Sequence, residues 1–281
     1  MPLPPLSPPP SELPPAVAVS KTRWFLHLLI VAAVPIIAGT LGMVSHGNGP
    51  ALSHTVAGLL GACLYQLLFV GVFLGVAWLF SRASKDDLLL RWRPGYWVVP
   101  LGALYSIAIR FVFYIAACVL VIVMLLCTHV TMTQIQTFFI DHRPRIEKLL
   151  DLQAMTDNPV YFWLNVTLVS FVIGGLREEL WRSSFLAGLC ALWPRTFGSR
   201  NGGILGAGVA ALLFGFAHTS QGWLLAAMVT VLGFFLGVIM NVHRSVWPSV
   251  LAHGFFDAAS MAGIWALHHF PELQQLQHGG G

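Results

Sequence analysis

Three short polar clusters interrupt the apolar second half of the sequence, and their side chains are those of acid–base catalysis. An ionisable side chain inside a membrane span costs roughly 2.5 to 3.5 kcal/mol on insertion scales, so a group of them indicates a functional site. Histidine exchanges protons near neutral pH, and a nearby carboxylate can orient it or share the activation of a water. The second half therefore predicts a reaction centre within the membrane. The clusters are Arg177, Glu178, Glu179 and Arg182; Phe214 and His218; and His253 and Asp257.

Helical spacing separates the two acids of the first cluster. Neighbouring residues on an α-helix differ by about 100°, whereas Glu178 and Arg182 are four apart and share a face. We expect Glu178 to be restrained by Arg182 and to point into the bundle, with Glu179 paired to Arg177 or to backbone. The spacing also permits the opposite assignment. Taken alone, this cluster would also fit an interfacial charge group that ends a helix.

The other two clusters each contain a histidine. His218 ends an apolar helix, where a histidine often serves only as a structural hydrogen-bonding residue. His253 and Asp257 lie one helical turn apart on one face. Such a pair can bind a metal, orient the imidazole or present a proton donor to an oxyanion. As a lone pair it would equally fit a satisfied polar patch between helices.

The composition predicts an all-α, polytopic transmembrane helical bundle. Of 281 residues, 57% are hydrophobic and only 9% are charged, and the mean hydropathy is +0.76. So little polar surface cannot cover a water-soluble globule of this size. The net charge of +4 does not indicate nucleic-acid binding, because Lys and Arg are scattered around the apolar spans. The four cysteines form no CxxC pair, which predicts inert thiols.

Apolar runs of about 20 residues predict the membrane helices, because that length of helix crosses roughly 30 Å of hydrocarbon. Seven runs meet this condition, and two of them are long enough to break into an eighth helix. Lys21 and Arg23 predict a cytoplasmic N-terminus in the cell membrane, although Arg143, Arg145 and Lys148 lie on the predicted outer side. The predicted spans are Trp24–Val44, Val56–Phe80, Tyr96–Cys127, Val160–Leu192, Gly203–His218, Trp223–Val242 and Val246–Leu267.

The order and content of the clusters resemble the CPBP family of intramembrane proteases, also called the CAAX protease and bacteriocin-processing or Abi family. The family's motifs are EExxxR, FxxxH and HxxxN or HxxxD, in that order on separate membrane helices. The resemblance covers about Val160 to Leu267. Its motifs match Glu178 and Glu179, then Phe214 and His218, then His253 and Asp257.

Two positions depart from the family pattern. The family's Arg falls where this chain has Ser183, and Arg182 lies one position earlier, rotated by about 100°. Asp257 stands where Asn is commoner, and an ionised carboxylate cannot donate a hydrogen bond. Asp257 would then orient His253, bind a cation or stay protonated.

The resemblance implies an intramembrane endopeptidase acting on a membrane-associated protein or peptide. Glu178 and His218 would activate a water, and His253 with Asp257 behind it would stabilise the oxyanion. Two histidines beside carboxylates suit zinc and equally suit a metal-free pair. The absence of an HExxH helix leaves a zinc cofactor undecided. Substrate identity and oligomeric state are not determined.

Composition, apolar runs and the resemblance together divide the chain. We expect a disordered, Pro-rich tail over residues 1–20, N-terminal membrane helices over 21–158, a CPBP-type core over 159–268 and a flexible end over 269–281.

Two alternatives belong to other classes of protein. A non-catalytic scaffold or bacteriocin-immunity protein with this fold is favoured by the displaced Arg. A proton-coupled transporter also uses intramembrane Glu, His and Arg. A transporter would show an inverted repeat between the halves, and the first half contains nothing like the three clusters.

Depth in the membrane opposes a shared site for the two histidines. His253 lies about seven residues into its span and His218 about fifteen residues into its own, roughly 10 Å and 22 Å from the inner side. Straight helices would keep them apart. Tilt, shifted span starts or a non-spanning segment between Ser183 and Arg200 would bring them together.

Isolated polar residues in the spans are expected to form hydrogen bonds between helices, and two glycines four apart predict a close helix crossing. The polar residues are His54, Gln66, Arg110 and Asn165, and the glycines are Gly233 and Gly237.

Overall fold

The chain is described by a computed structural model over residues 20–44, 54–127, 130–142 and 150–270. Within these ranges the secondary structure is helical, with no β-strand, which confirms the predicted all-α class. The predicted tail over 1–20 lies outside the described residues except for Ser20, as does most of the predicted flexible end. The basic residues of the 143–149 segment lie outside them too.

Eleven α-helices follow one another along the described residues. A 3-10 turn, Gly95–Trp97, leads into the third, and a π-helical stretch, Asn165–Arg177, joins the sixth to the seventh. The helices are α1 Lys21–Val44, α2 Val56–Ser81, α3 Val98–Cys127, α4 Met132–Asp141, α5 Leu152–Asp157, α6 Pro159–Leu164, α7 Glu178–Leu192, α8 Pro194–Phe197, α9 Arg200–Phe216, α10 Trp223–His243 and α11 Trp247–His269.

Six helical segments in the described residues are long and apolar enough to cross a membrane. They correspond to six of the seven predicted spans and make the chain an integral membrane protein. The seventh predicted span is α9, an apolar helix of only 17 residues, about 25 Å long. Neither long stretch breaks into two spans, because Gly95–Cys127 and Pro159–Leu192 each run on as one segment.

The π-helical stretch Asn165–Arg177 leads directly into α7 and so positions Glu178, the first residue of that helix. Its i→i+5 pattern is rare and often occurs at functional positions. Asn165 and Ser170 are buried at its start, where the Asn165 amide donates to the Tyr161 carbonyl at 2.8 Å. The Ser170 hydroxyl donates to the Asn165 carbonyl at 2.8 Å. Asn165 is therefore a structural residue, although its bond lies within its own segment and not between helices. The stretch ends immediately before Glu178.

Glycines allow the helices around the site to approach closely. A Cβ at Gly237 of α10 would lie 2.8 Å from the Cβ of Ala207 in α9, and one at Gly233 would lie 3.8 Å from the Cα of Ala211. The predicted close crossing is confirmed. A Cβ at Gly175 in the π stretch would lie 2.7 Å from the Val250 carbonyl oxygen of α11.

His54 ties the start of α2 to the start of α5. Its imidazole bonds to the Asp151 carboxylate, which also accepts from the Ala154 N–H at 2.9 Å as the N-cap of α5. The hydrogen bond from the Ala154 N–H has the larger effect and the bond to His54 the next, and both hold the pKa of the Asp151 carboxyl below its usual value. His54 thus makes a structural contact, as predicted.

Candidate active site

The two acids of the first cluster each bind an arginine, and the expected pairing of Glu178 with Arg182 is wrong. The Arg177 guanidinium donates to Glu178, and the Arg182 guanidinium donates to Glu179. Positions three and four apart on a helix are both neighbours, so spacing alone does not choose between the partners. The structure therefore has the other pairing that the sequence permits, Arg177 with Glu178 and Arg182 with Glu179.

Contacts from other helices explain why Arg182 turns towards Glu179. The Arg182 guanidinium lies 4.9 Å from the centre of the Phe214 ring of α9. A Cβ at Gly233 of α10 would lie 3.1 Å from Arg182 Nη2, and one at Gly237 3.5 Å from its Cδ. The two glycines therefore make room for a buried arginine as well as for α9. Arg182 and Glu179 have 0% exposed side chains.

Ser183, which stands where the family has its Arg, has a different contact. Its hydroxyl donates to the Leu88 carbonyl in the connection between α2 and α3. An arginine at 182 can still reach an acid of the cluster, because Glu179 is three residues before it. The offset motif therefore retains an arginine–carboxylate pair.

His253 lies among three carboxylates. Its Nδ1 is 3.0 Å from Glu179 Oε1, and its Nε2 is 3.8 Å from Glu178 Oε2 and 3.6 Å from Asp257 Oδ2. An ionised carboxylate only accepts hydrogen bonds, so Nδ1 is the donor to Glu179. The bond fixes the ring orientation and leaves Nε2 towards Glu178 and Asp257. The third cluster is thus joined to the first.

His218 lies beside the first cluster on a cavity. Its Nδ1 is 2.9 Å from the Phe214 carbonyl oxygen, which can only accept, so Nε2 is left as the nitrogen that can take up a proton. A cavity of about 320 Å³ is lined by His218, Glu178 and Arg177, with apolar side chains of α1 and α2 around them. Glu178 therefore lies close to both histidines: it lines this cavity with His218, and it is 3.8 Å from His253 Nε2.

The depth conflict between the histidines is reduced by the offset of α11. The Ser249 hydroxyl, in the first turn of α11, donates to the Leu236 carbonyl at 2.8 Å. Leu236 lies about two turns before the end of α10, so α11 starts well inside the depth of its neighbour. The short helix α8 also separates α7 from α9. The offset of α11 against α10 reduces the difference in depth that level spans would give His253 and His218.

Gln66 of α2 is part of the site, although the sequence suggested only a bond between helices. Its Oε1 accepts a hydrogen bond from Arg177, whose other amino group bonds to Glu178, and Gln66 also lines the cavity. The signal in the sequence was a polar side chain inside a span. Trp181 was missed as a cavity residue; its indole donates to the Val31 carbonyl at 2.9 Å.

The donor set does not fit a metal centre. Among the residues that the structure describes, no group of three or more His, Cys, Asp or Glu is arranged to hold a metal ion. Glu179 already binds Arg182 and His253, and Glu178 binds Arg177. The carboxylates of α7 are therefore held by cationic side chains.

Substitution of Gly175 should separate the elements that hold Glu178 and His253. A methyl group in Gly175→Ala would meet the Val250 carbonyl, a backbone atom that cannot turn away. Overpacking of this kind costs about 1–3 kcal/mol, so we expect a thermal unfolding temperature several degrees lower in detergent. Gly61→Ala on α2 is the matched control, because nothing lies within 4 Å of its added methyl. Equal unfolding temperatures for the two variants would contradict the tight contact.

The fold and the site together define a class of protein: an integral membrane helical bundle with a buried carboxylate–histidine site. Residues 159–259 match the family model described as Rce1-like, type II CAAX prenyl endopeptidase Rce1-like. This match confirms the CPBP and CAAX protease resemblance that the motifs predicted, and it supports a protease of CAAX type. Comparisons with curated proteins and with solved structures give no match. The matched segment contains all three polar clusters, whereas α1, α2 and α3 lie outside it.

Proposed function

We propose that the chain is an intramembrane endopeptidase that hydrolyses a membrane-associated protein or peptide with a water activated by Glu178 and His218. The observation that carries this proposal is that both side chains line one cavity, while His253 Nε2 lies 3.8 Å from Glu178. Peptide hydrolysis needs a base that activates water and a donor that stabilises the oxyanion, and Glu178 lies between the cavity and His253.

In the first step, a water in the cavity donates one hydrogen bond to the Glu178 carboxylate and another to Nε2 of His218, which together activate it. Glu178 removes a proton as the water oxygen attacks the carbonyl carbon of the scissile peptide. The carbonyl π-bond electrons move to its oxygen and form a tetrahedral oxyanion. Arg177 holds Glu178 in place through its bond to the carboxylate, and Gln66 holds Arg177.

In the second step, the oxyanion collapses and the carbon–nitrogen bond breaks. The proton taken by Glu178 passes to the leaving amine, which restores the carboxylate. Glu179 accepts from Nδ1 of His253, so the ring donates from Nε2 to the oxyanion when both of its nitrogens are protonated. Asp257, 3.6 Å from Nε2, favours a protonated ring in this role. Asp257 thus acts on His253 and need not donate to the oxyanion itself.

The apolar lining of the cavity supports a substrate that is already in the membrane. Val34 and Ile37 of α1 and Phe69 and Val70 of α2 form this lining beside the polar residues. An apolar wall accepts the side chains of a membrane-embedded peptide and excludes bulk water. The family's relatives differ in substrate, so the proposal stops at a membrane-associated polypeptide.

The displaced position of Arg182 was the argument for a non-catalytic scaffold. Its contacts remove that argument. Arg182 binds Glu179 from its displaced position, as an arginine that orients an acid must. The catalytic proposal therefore requires no further arginine.

Reconstituted protein should cleave a panel of membrane peptides, and His218→Ala should reduce cleavage between about 10²-fold and 10⁴-fold. Mass spectrometry of the products would show a single added water at the cut. His243→Ala, at the end of α10 and bonded to Tyr105 at 2.7 Å, is the control for loss of a histidine. Cleavage by His218→Ala at the wild-type rate would refute the role of His218, and no cleavage by wild type would favour the scaffold.

A further inference from the structure

We propose that Trp181 of α7 limits the size of the substrate side chain that fits beside the scissile bond, and that Pro35 of α1 helps to hold its ring in place. This inference rests on the proposed function and adds to it a residue that determines specificity. The observations that carry it are the position of the Trp181 ring in the cavity and its hydrogen bond to α1.

Trp181 and Phe214 form an aromatic wall of the cavity next to the two proposed catalytic side chains. Trp181 lies three residues after Glu178, so the two side chains share a face of α7. Phe214 lies four residues before His218, and the centres of these two rings are 4.7 Å apart. The Trp181 and Phe214 rings stack with their centres 5.8 Å apart, and all four residues line the cavity. A side chain that enters beside Glu178 and His218 therefore rests against this wall.

A backbone carbonyl of α1 fixes the orientation of the Trp181 ring. Proline has no N–H, so Pro35 cannot make the usual helix bond to the Val31 carbonyl four residues before it. The Trp181 indole N–H donates to that carbonyl at 2.9 Å. Val31 is fully buried, and a buried carbonyl without a donor is costly. The bond therefore favours one orientation of the indole, and Pro35, which also lines the cavity, leaves the carbonyl available for it.

Packing restricts the ring further. Trp181 also stacks on Phe185, one turn further along α7, with ring centres 5.7 Å apart, and it is only 4% exposed. A wall held in this way cannot move aside for a larger substrate side chain. An apolar pocket distinguishes side chains that differ by one methylene about 10-fold to 200-fold, so the size of Trp181 should be visible in the choice of substrate.

The test is cleavage, by reconstituted protein, of membrane peptides that are identical except for Ala or Phe immediately before or immediately after the cleaved bond. The measured quantity is kcat/KM for the Phe peptide divided by kcat/KM for the Ala peptide. Trp181→Leu should raise this ratio at least about 10-fold at one of the two positions, because the smaller side chain opens the wall. A loss of stability alone would lower cleavage of both peptides and leave the ratio unchanged. Trp163→Leu, at a residue that is 61% exposed, is the matched control and should keep the wild-type ratio.

A second pair of variants tests the contribution of α1. Trp181→Phe keeps an aromatic ring but loses the donor to the Val31 carbonyl, so it should lower the thermal unfolding temperature in detergent. Pro35→Ala supplies a backbone N–H to the same carbonyl. Adding Pro35→Ala to Trp181→Phe should therefore raise the unfolding temperature by more than Pro35→Ala does in the wild-type background. Equal changes in the two backgrounds would overturn the role of Pro35.

The outcomes separate this proposal from the proposed function. A wild-type ratio in Trp181→Leu, while Glu178→Gln is inactive, would overturn the role of Trp181 and leave the protease intact. If Trp181→Leu does not fold, Trp181→Phe decides, because its smaller ring should shift the ratio in the same direction, and an unchanged ratio would overturn the proposal. If wild type cleaves none of the peptides, the proposed function fails and this inference fails with it.

Discussion

Glu178→Gln is expected to abolish cleavage of membrane peptides while the protein stays folded. The amide keeps the shape of the side chain and an oxygen for Arg177, which binds Glu178 in the native site. It cannot take a proton from water, so the rate should fall between about 10²-fold and 10⁴-fold. Cleavage of a reporter peptide in proteoliposomes, followed by mass spectrometry, would measure the loss.

The neighbouring acid provides the matched control for this substitution. Glu179 is fully buried and binds Arg182 and His253, so Glu179→Gln should lower the unfolding temperature as well as the rate. Glu178→Gln should leave the unfolding temperature within a few degrees of wild type. If the two variants behaved the same in both measurements, the division into a catalytic acid and a structural acid would be wrong.

The largest loss of stability is expected from Arg182→Met. The side chain has no exposed surface, and its removal leaves the Glu179 carboxylate buried with His253 as its remaining partner among the described residues. Breaking one side of a buried ion pair costs about 3–5 kcal/mol. Methionine retains much of the volume between Phe214 and the α10 glycines, so the loss reports mainly on the charge. We expect reduced yield and a markedly lower unfolding temperature in detergent.

Two further variants identify the cause of that loss. Arg195→Met in exposed α8 should be neutral, because its side chain is in solvent. Adding Glu179→Gln to Arg182→Met should recover part of the stability, because the remaining buried carboxylate is then neutral. No recovery would mean that Arg182 stabilises the bundle by packing on Phe214, and not by pairing with Glu179.

The sequence predicted the components of this protein well because each was a local signal. Apolar length fixed the spans within a few residues, since the thickness of the bilayer fixes how many residues a helix needs to cross it. Three polar clusters stood out because intramembrane charge is costly, and their order matched one family. The structure brings Glu178, Glu179 and Asp257 each within 4 Å of His253, and His218 lines a cavity with Glu178.

Contacts between distant parts of the chain were beyond the sequence. Spacing on one helix allows Arg182 to reach either acid, and Phe214 with two glycines of α10 selects Glu179. From the sequence, Gln66 and Arg110 are ordinary polar residues, and only the packing of α2 and α3 brings them to Arg177 and to the Phe256 carbonyl of α11.

By itself the sequence determined the class of protein, its membrane helices and the side chains that could do chemistry. Only the tertiary structure decided which arginine binds which acid and that Glu178 lies close to both histidines. The physical reason is that helical periodicity fixes directions around one axis, whereas partners are fixed by the offset and packing of several helices. The Ser249 bond to Leu236, which sets α11 against α10, is an example that no local pattern contains.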